Sequence, residues 1–511
     1  MDPRRGGDGV VYLLAVLTGT ALISCTSQPH VDTAHLEWIR TQAAEFSRSY
    51  ALLEYQAAIA GLPCRTDSLY GAFDSLFSTH STDNVHLALS VEQDSVQRRR
   101  LAVLQEWLLK GIVAHRTAPL MDSLGIVRNN AITLEGREIP YRLLYATIAG
   151  EYNDQRRGAW YRAGDSVRRI VDTLLDSIAH VRADLHRQSG PLPVRRDDQE
   201  LFAAAETLLT RTDTVYAMLV REQAAAAKTR QSAAHTFPVV VRGTEFDQFF
   251  RRDMVIPEIR KIYATLGINP DSLPGLHIVA MHDPAITDVC ARVNIPNDIR
   301  VVIGPTGTAA AFSAALAVAG MGLDAALNRE HAVEFACCGD DAVWQSSGEL
   351  ARSLLTNQAW LRMYSGMPPA LIKRFARHMA CVRLFQARLA AADVLALDAG
   401  RTDRDTLVQR ATGIAGLAED ETFAPEPWQR PLDARTRFRA ILLGAQMTSM
   451  CEAEFGINWF ENRAAGVFLR SLWARGRRET AQERARLFGY VPGDVEPLVR
   501  RLRLFVLFST P

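Results

Sequence analysis

Lysine is almost missing from this 511-residue chain: it stands only at 110, 228, 261 and 373, and every other basic side chain is arginine. Biased codon usage accounts for that better than a phosphate-binding surface does, because there is no surplus of positive charge. The 58 basic side chains face 57 acidic ones, a formal net charge of +1. Such a balance gives no electrostatic reason to expect nucleic acid or an anionic membrane surface as a partner. Cysteine is also scarce. Apart from Cys25 there are Cys64, Cys290, Cys337, Cys338, Cys381 and Cys451, and their spacing matches no zinc pattern. In a chain this long they are expected to be buried thiols, with one disulfide at most. Internal repeats and low-complexity tails are absent as well. What is present is ordinary for a soluble globular protein: 48% hydrophobic and 23% charged residues. The length suffices for two to four domain-sized units.

The first 25 residues read as a processing signal. Arg4 and Arg5 precede an apolar stretch, Val10 to Ile23, which has the length of a signal-peptide core and is short for a membrane span. It ends in Leu22-Ile23-Ser24-Cys25, which resembles a bacterial lipobox, where the Cys thiol is diacylated and becomes the mature N-terminus. The resemblance implies an exported protein held in the lipid bilayer through acylated Cys25. Thr26, in place of the Asp of an inner-membrane retention signal, favours the outer membrane.

Beyond the signal, hydrophobic spacing is helical nearly throughout. Ile39, Ala43, Phe46, Tyr50 and Leu53 recur at steps of four and three, and Val167, Val171, Leu174, Ile178, Val181 and Leu185 do the same over five turns. Leu208, Val215 and Leu219 mark another long helix running toward Ala224 to Ala227. Breaks are expected at Gly61-Leu62-Pro63, at Gly190-Pro191-Leu192-Pro193 and around Gly400 to Asp405. Residues 237 to 303 read differently. Val239-Val240-Val241, Leu276 to Met281 and Ile299 to Ile303 are β-rich runs, separated by turn signals at Asn269-Pro270-Asp271, Asp283-Pro284 and Ile295-Pro296-Asn297. After Gly304-Pro305-Thr306-Gly307, a helix is expected from about Ala309 to Ala326. The expected fold is therefore mostly α with a small sheet: a helical N-terminal region, 26–235, and a region 236–511 carrying the sheet.

The run Cys290-Ala-Arg-Val-Asn-Ile-Pro-Asn-Asp-Ile-Arg-Val-Val-Ile-Gly-Pro-Thr-Gly307 resembles the segment that enters the active-site helix of zinc oligopeptidases, relatives of thimet oligopeptidase and oligoendopeptidase. That family carries HExxH there. Two His four residues apart share a helical face and bind zinc, the Glu between them is general base to the metal-bound water, and a Glu from the next helix is third ligand. Here the helix reads Phe312-Ser-Ala-Ala-Leu-Ala-Val-Ala-Gly-Met-Gly-Leu323. Its Ala319-Gly320 pair matches the interior of the motif, which places Ala317 and Met321 at the His positions and Val318 at the general base. Trp344-Gln-Ser-Ser-Gly-Glu-Leu-Ala-Arg-Ser-Leu-Leu355 is similar to the third-ligand helix and aligns Gln345 with the ligand. Glu349 stands one turn later. Farther on, Arg435-Thr-Arg-Phe-Arg-Ala-Ile-Leu-Leu-Gly-Ala-Gln446 and Phe455-Gly-Ile-Asn-Trp-Phe-Glu-Asn462 resemble C-terminal family segments. Arg437 falls where the family often has an oxyanion-stabilising Tyr.

The resemblance implies a zinc-oligopeptidase-like helical scaffold without its zinc. Ala and Val have no lone pair, a thioether is a poor zinc ligand, a neutral Gln amide does not neutralise Zn²⁺, and Val accepts no proton. No cofactor is expected and no metallopeptidase activity. His331 with Glu334, Asp340-Asp341, and His277 with His282 are the remaining ligand-type residues, none with a second His at ligand spacing. Three readings stay open. One is an inactive lipoprotein holding an extended peptide in a retained groove by β-augmentation. Another is an interaction protein whose groove is closed by the apolar side chains at 317, 318 and 321. The third is a hydrolase with a relocated site.

Overall fold

The computed structural model describes residues 31–188, 196–227, 234–283, 286–305, 307–399, 404–413 and 434–507. The expected signal and lipidation site at Cys25, the Gly190 to Pro193 break, residues 400–403 of the Gly400 to Asp405 break, Pro284 and Thr306 lie outside them.

Helix α1 (Thr33–Ile59) opens with Asp32 as N-cap, its carboxylate accepting the His35 amide at 2.9 Å. Leu36, Ile39, Ala43 and Phe46 form its buried stripe, and it stops at the expected Gly61, where φ is +63°. Helices α2 (Asp67–Ala72), α3 (Thr79–Val91) and α4 (Ser95–Arg128) wrap that stripe. Phe46 lies 5.0 Å from Tyr70, 4.8 Å from Phe77 and 5.9 Å from Trp107, ring to ring. A hairpin follows that sequence reading missed: β1 (Ala131–Leu134) and β2 (Arg137–Pro140), joined by Glu135 and Gly136. Both turn residues have positive φ, 51° and 81°, the twist a two-residue hairpin requires. Its signal was present, an alternating Ala-Ile-Thr-Leu ahead of Gly136, but it is only four residues long. Helices α5 (Leu144–Ala149), α6 (Asp154–Ala163), α7 (Asp165–Gln188) and α8 (Arg196–Ala226) complete the N-terminal half.

Val239-Val240-Val241 is not a strand. It lies in helix α9 (Phe237–Arg242), with Pro238 in the first turn and Gly243 at φ +59° closing it. Pro near the start and a left-handed Gly at the end are helix punctuation. All five residues from Phe237 to Val241 are buried, so no alternation existed to separate strand from helix. Helix α10 (Val255–Thr265) leads to the sheet: β3 (Leu276–Ala280), β4 (Val289–Asn294) and β5 (Asp298–Ile303). Central β5 runs parallel to β3 and antiparallel to β4. One face of β4 packs Ala291 and Val293 against Ala51, Leu52 and Tyr55 of α1. At the end of β5 the Gly304 amide donates to the Asp288 carboxylate at 2.6 Å, which fixes the exit of the strand.

The remaining helices are α11 (Ala309–Leu327), α12 (Asp341–Arg352), α13 (Gln358–Tyr364), α14 (Pro369–Ala399), α15 (Arg404–Thr412), α16 (Ala434–Phe455), α17 (Arg463–Trp473), α18 (Ala481–Leu487) and α19 (Glu496–Leu507). The start of α11 is set by Thr308, whose hydroxyl accepts the Ala311 amide at 3.1 Å. One core joins α10, the sheet, α11, α12 and α17. A second joins α8 and α9 to α14, α15 and α16. The expected fold class holds: mostly α, with a small sheet beside α11. The six described cysteines are all free thiols, with Cys290, Cys338, Cys381 and Cys451 buried, so no disulfide forms among them.

Candidate functional site

Helices α11 and α12 meet through their smallest residues. Gly348 lies so close to α11 that an added Cβ would stand 3.0 Å from the Ala317 carbonyl oxygen and 3.2 Å from Met321 Cγ. At Gly320 the added atom would stand 2.7 Å from the Ser347 carbonyl oxygen and 3.1 Å from the Ala351 methyl. The close approach therefore falls at the positions where a metal would need room. Ala317, Val318 and Met321 are 0%, 1% and 3% exposed. Gln345 is half-buried, and Trp344 beside it donates its indole N–H to the Met321 carbonyl at 2.9 Å. Arg292 stacks over that indole, its guanidinium 3.8 Å from the ring centroid.

These residues do not fit a zinc ion. At the four positions that the sequence resemblance assigns to ligands and base, Ala317 presents a methyl group, Met321 a thioether, Val318 an isopropyl group and Gln345 a carboxamide. The gap between the helices is filled by their own backbones. No group of three metal-binding side chains comes together among the described residues.

The other sequence candidates are dispersed. His277, His282 and His331 are exposed on separate segments. Glu334 sits fully buried in a π-helical turn, Glu334–Cys338, where Arg40 of α1 and Arg100 of α4 hold it at 2.7 and 3.1 Å. Asp340 caps α12 and accepts the Ala481 amide at 3.0 Å, and Asp341 pairs with Arg292 at 3.2 Å and with Arg477. Arg437 pairs with Asp393 of α14 at 2.5 Å. Glu349, one turn past the third-ligand position, is buried between Arg352 (3.1 Å) and Arg383 (2.7 Å). Gly444 of α16 lies directly over it, where a Cβ would come within 2.3 Å of the Glu349 Cβ. Its charge is committed to two guanidinium groups.

Two polar groups, Asp324 buried and Asp288 half-buried, escaped the sequence reading. Asp324, two turns after Ala317, accepts the Ser347 hydroxyl at 2.5 Å, and that hydroxyl oxygen accepts the Trp473 indole N–H at 3.0 Å. Burial pushes the Asp324 carboxyl up to about 6. Asp288, at the exit of the sheet, is likewise pushed up to about 6 by burial. A lone Asp inside the apolar run Ala309 to Leu327 was the available signal for Asp324. Nothing in the sequence marked Ser347 as its partner.

The geometry matches that of known peptidase folds. One solved chain assigned as an oligoendopeptidase F aligns with TM-score 0.63 and 11% identity, over 95% of this chain and 94% of that one. Another, from Bacillus anthracis str. Ames, aligns with TM-score 0.52 and 11% identity over 92% and 85%. PZ peptidase A, solved with an inhibitor, aligns with TM-score 0.63 and 10% identity over 93% and 92%. No family model matches the chain, and no curated protein does. The chain thus has the helical scaffold of the oligoendopeptidase F and PZ peptidase structures. At this identity the likeness defines the fold alone.

Proposed function

We propose that this chain is a non-hydrolytic protein on an oligopeptidase scaffold, a lipoprotein that holds its partners and does not cut them. The observation that carries the reading is the packing of Ala317 and Met321 directly against Gly348, with Val318 buried beside them and a thioether as the one side-chain donor atom of the three. Replacing zinc, two imidazoles and a carboxylate with small and apolar groups removes the Lewis acid and the base together. It also leaves α11 and α12 free to close on each other.

The test is metal content and hydrolysis measured on the same preparation. Freshly purified full-length protein is expected to carry no stoichiometric zinc and to leave fluorogenic peptide pools intact. Zinc at one equivalent, lost on chelation together with peptide cleavage, would overturn the reading.

For partner binding the free edge of the sheet is the supporting feature. Among the described residues β3 pairs with β5 alone, and His277, Val279 and Ala280 on it are exposed. An extended peptide adding to β3 gains main-chain hydrogen bonds there without entering the closed helix pair. Titration with peptide pools, with Val279→Pro as control, tests this. Binding that Val279→Pro leaves unchanged would move the peptide away from β3. Export and outer-membrane anchoring through acylated Cys25 belong to the same proposal, motivated by the lipobox-like residues. Acyl labelling that persists in Cys25→Ala would remove that part.

A further inference from the structure

The net charge of +1 conceals a segregation. Residues 463–503 contain ten arginines against four acidic residues, so the rest of the chain is net acidic. Several of these arginines are spent internally. Arg477 and Arg484 are buried, Arg478 pairs with Glu330, and Arg501 pairs with Glu452. Arg463, Arg470, Arg486 and Arg500 are exposed and enter no ion pair among the described residues. Exposed apolar side chains stand among them in the sequence. Val467 is 58% exposed, Leu487 57% and Val491 72%.

Spacing and one ring contact connect the segments that carry these residues. Arg463, Val467 and Arg470 recur at steps of four and three on the outer side of α17. Phe468, next to Val467, packs on Phe488, next to Leu487, with ring centroids 6.3 Å apart, which ties the α17 face to the end of α18. Past Phe488 the chain turns at Gly489 (φ +80°) and Gly493 (φ +77°), with Val491 exposed between them. The exposed acid Glu454 belongs to the neighbouring end of α16, beside Phe455.

We infer that this α17–α18 face docks on an anionic phospholipid surface. The aliphatic groups are each more than half exposed and accompanied by arginines that enter no ion pair among the described residues, a combination suited to the headgroup layer, where apolar side chains enter and cations meet phosphate. The arginines around them supply forked donors matched to phosphodiester oxygens. A face of this kind adds a second attachment to a chain tethered elsewhere and fixes its orientation. It does not depend on the state of the α11–α12 pair, nor on lipidation.

Vesicle sedimentation of full-length Cys25→Ala protein, which cannot be acylated there, tests it. The vesicles are phosphatidylcholine alone or mixed with phosphatidylglycerol. Binding is expected to rise at least about tenfold on the anionic vesicles and to weaken with salt. The triple variant Arg463→Glu, Arg470→Glu, Arg486→Glu is expected to lose that gain. Should the triple variant fail to fold, Val491→Asp alone, on an exposed turn, is expected to weaken binding several-fold. Equal binding to both vesicles, or full binding by a folded triple variant, overturns the inference. So does salt-sensitive binding that ignores Val491→Asp, which would mark a plain polyanion site.

Discussion

At the scale of single residues, four positions decide what the helix pair can do, and their reversal is the direct experiment. Ala317→His, Val318→Glu, Met321→His and Gln345→Glu together place the family's ligand set at the positions that the sequence resemblance implies. Binding is nonetheless expected to be weak. Gly348 leaves 3.0 Å between its would-be Cβ and the Ala317 carbonyl, so two imidazoles require the helices to part. The expected result is a folded quadruple variant with a lowered melting temperature and zinc affinity far below that of a structural site, measured by calorimetry. Tight zinc binding with unchanged stability would show that the helix contact is easily opened. Asp324 allows a second test at this scale. Its folded carboxyl, pushed up to about 6, holds its proton more tightly than the unfolded chain, where the ordinary value is 3.8. The folded state is therefore favoured as pH falls through that interval and loses stability as pH rises through it. Asp324→Asn keeps an acceptor for the Ser347 hydroxyl and removes the charge. It is expected to be more stable than the parent above pH 6, by about 2 to 3 kcal/mol, and to match it near pH 4. Denaturant titrations at both pH values check this.

At the scale of elements, Gly243 shows how a single backbone position holds a junction. Its φ of +59° closes α9, and an added Cβ would stand 2.5 Å from His378 Nε2. His378 is buried in α14, with Nδ1 3.1 Å from the Gln223 carboxamide oxygen and the rings of Phe246 and Phe375 alongside. Gly243→Ala is expected to cost about 2 kcal/mol, from the left-handed backbone and the clash together. Chemical denaturation measures it. The same junction explains which elements the sequence disclosed. Long helices with one wet face, such as α1 and α7, were legible because their buried residues keep the helical period. The β5–turn–α11 passage was legible because a motif, not a periodicity, carried it. Helix α9 was misread because its β-branched residues are buried all round, and hydrophobic pattern is then silent on strand versus helix. The small hairpin was missed because its strands are shorter than a pattern needs to be seen. At the site, the assignment of 317, 318, 321 and 345 to the family's ligand and base positions comes from the resemblance, and the proposed loss of zinc rests on the side-chain chemistry of those four residues. The close approach of the helix pair was not legible, because it depends on Gly320 lying against Ser347 and Ala351 and on Gly348 lying against Ala317 and Met321, contacts between two separate helices. Helix α11 illustrates the limit: it is long and apolar enough to cross a membrane by composition, yet 72% of its apolar window is buried, which makes it a core helix.

At the scale of the whole molecule, the two halves of the chain are joined by charge as well as by apolar contact, and Glu334 is the centre of that joint. It belongs to the C-terminal half in sequence, is fully buried, and is reached from the other side by Arg40 and Arg100, while Cys337 and Cys338 of the same turn pack into the core of α1 and α4. A buried carboxylate between two guanidinium groups gains little over an apolar substitute, but losing one member leaves its partners charged and dry. Glu334→Gln keeps the shape and removes only the charge, and is expected to destabilise the protein by about 3 kcal/mol. It should also loosen α1 and α4 ahead of the rest, seen as earlier hydrogen exchange in residues 33–59 and 95–128 than in α11 and α12. Restoring packing and not charge, by Glu334→Leu with Arg40→Met and Arg100→Met, should recover much of the lost stability. If Glu334→Gln instead lowers protection evenly across the chain, the halves unfold as one unit, and the joint does not set a boundary between them.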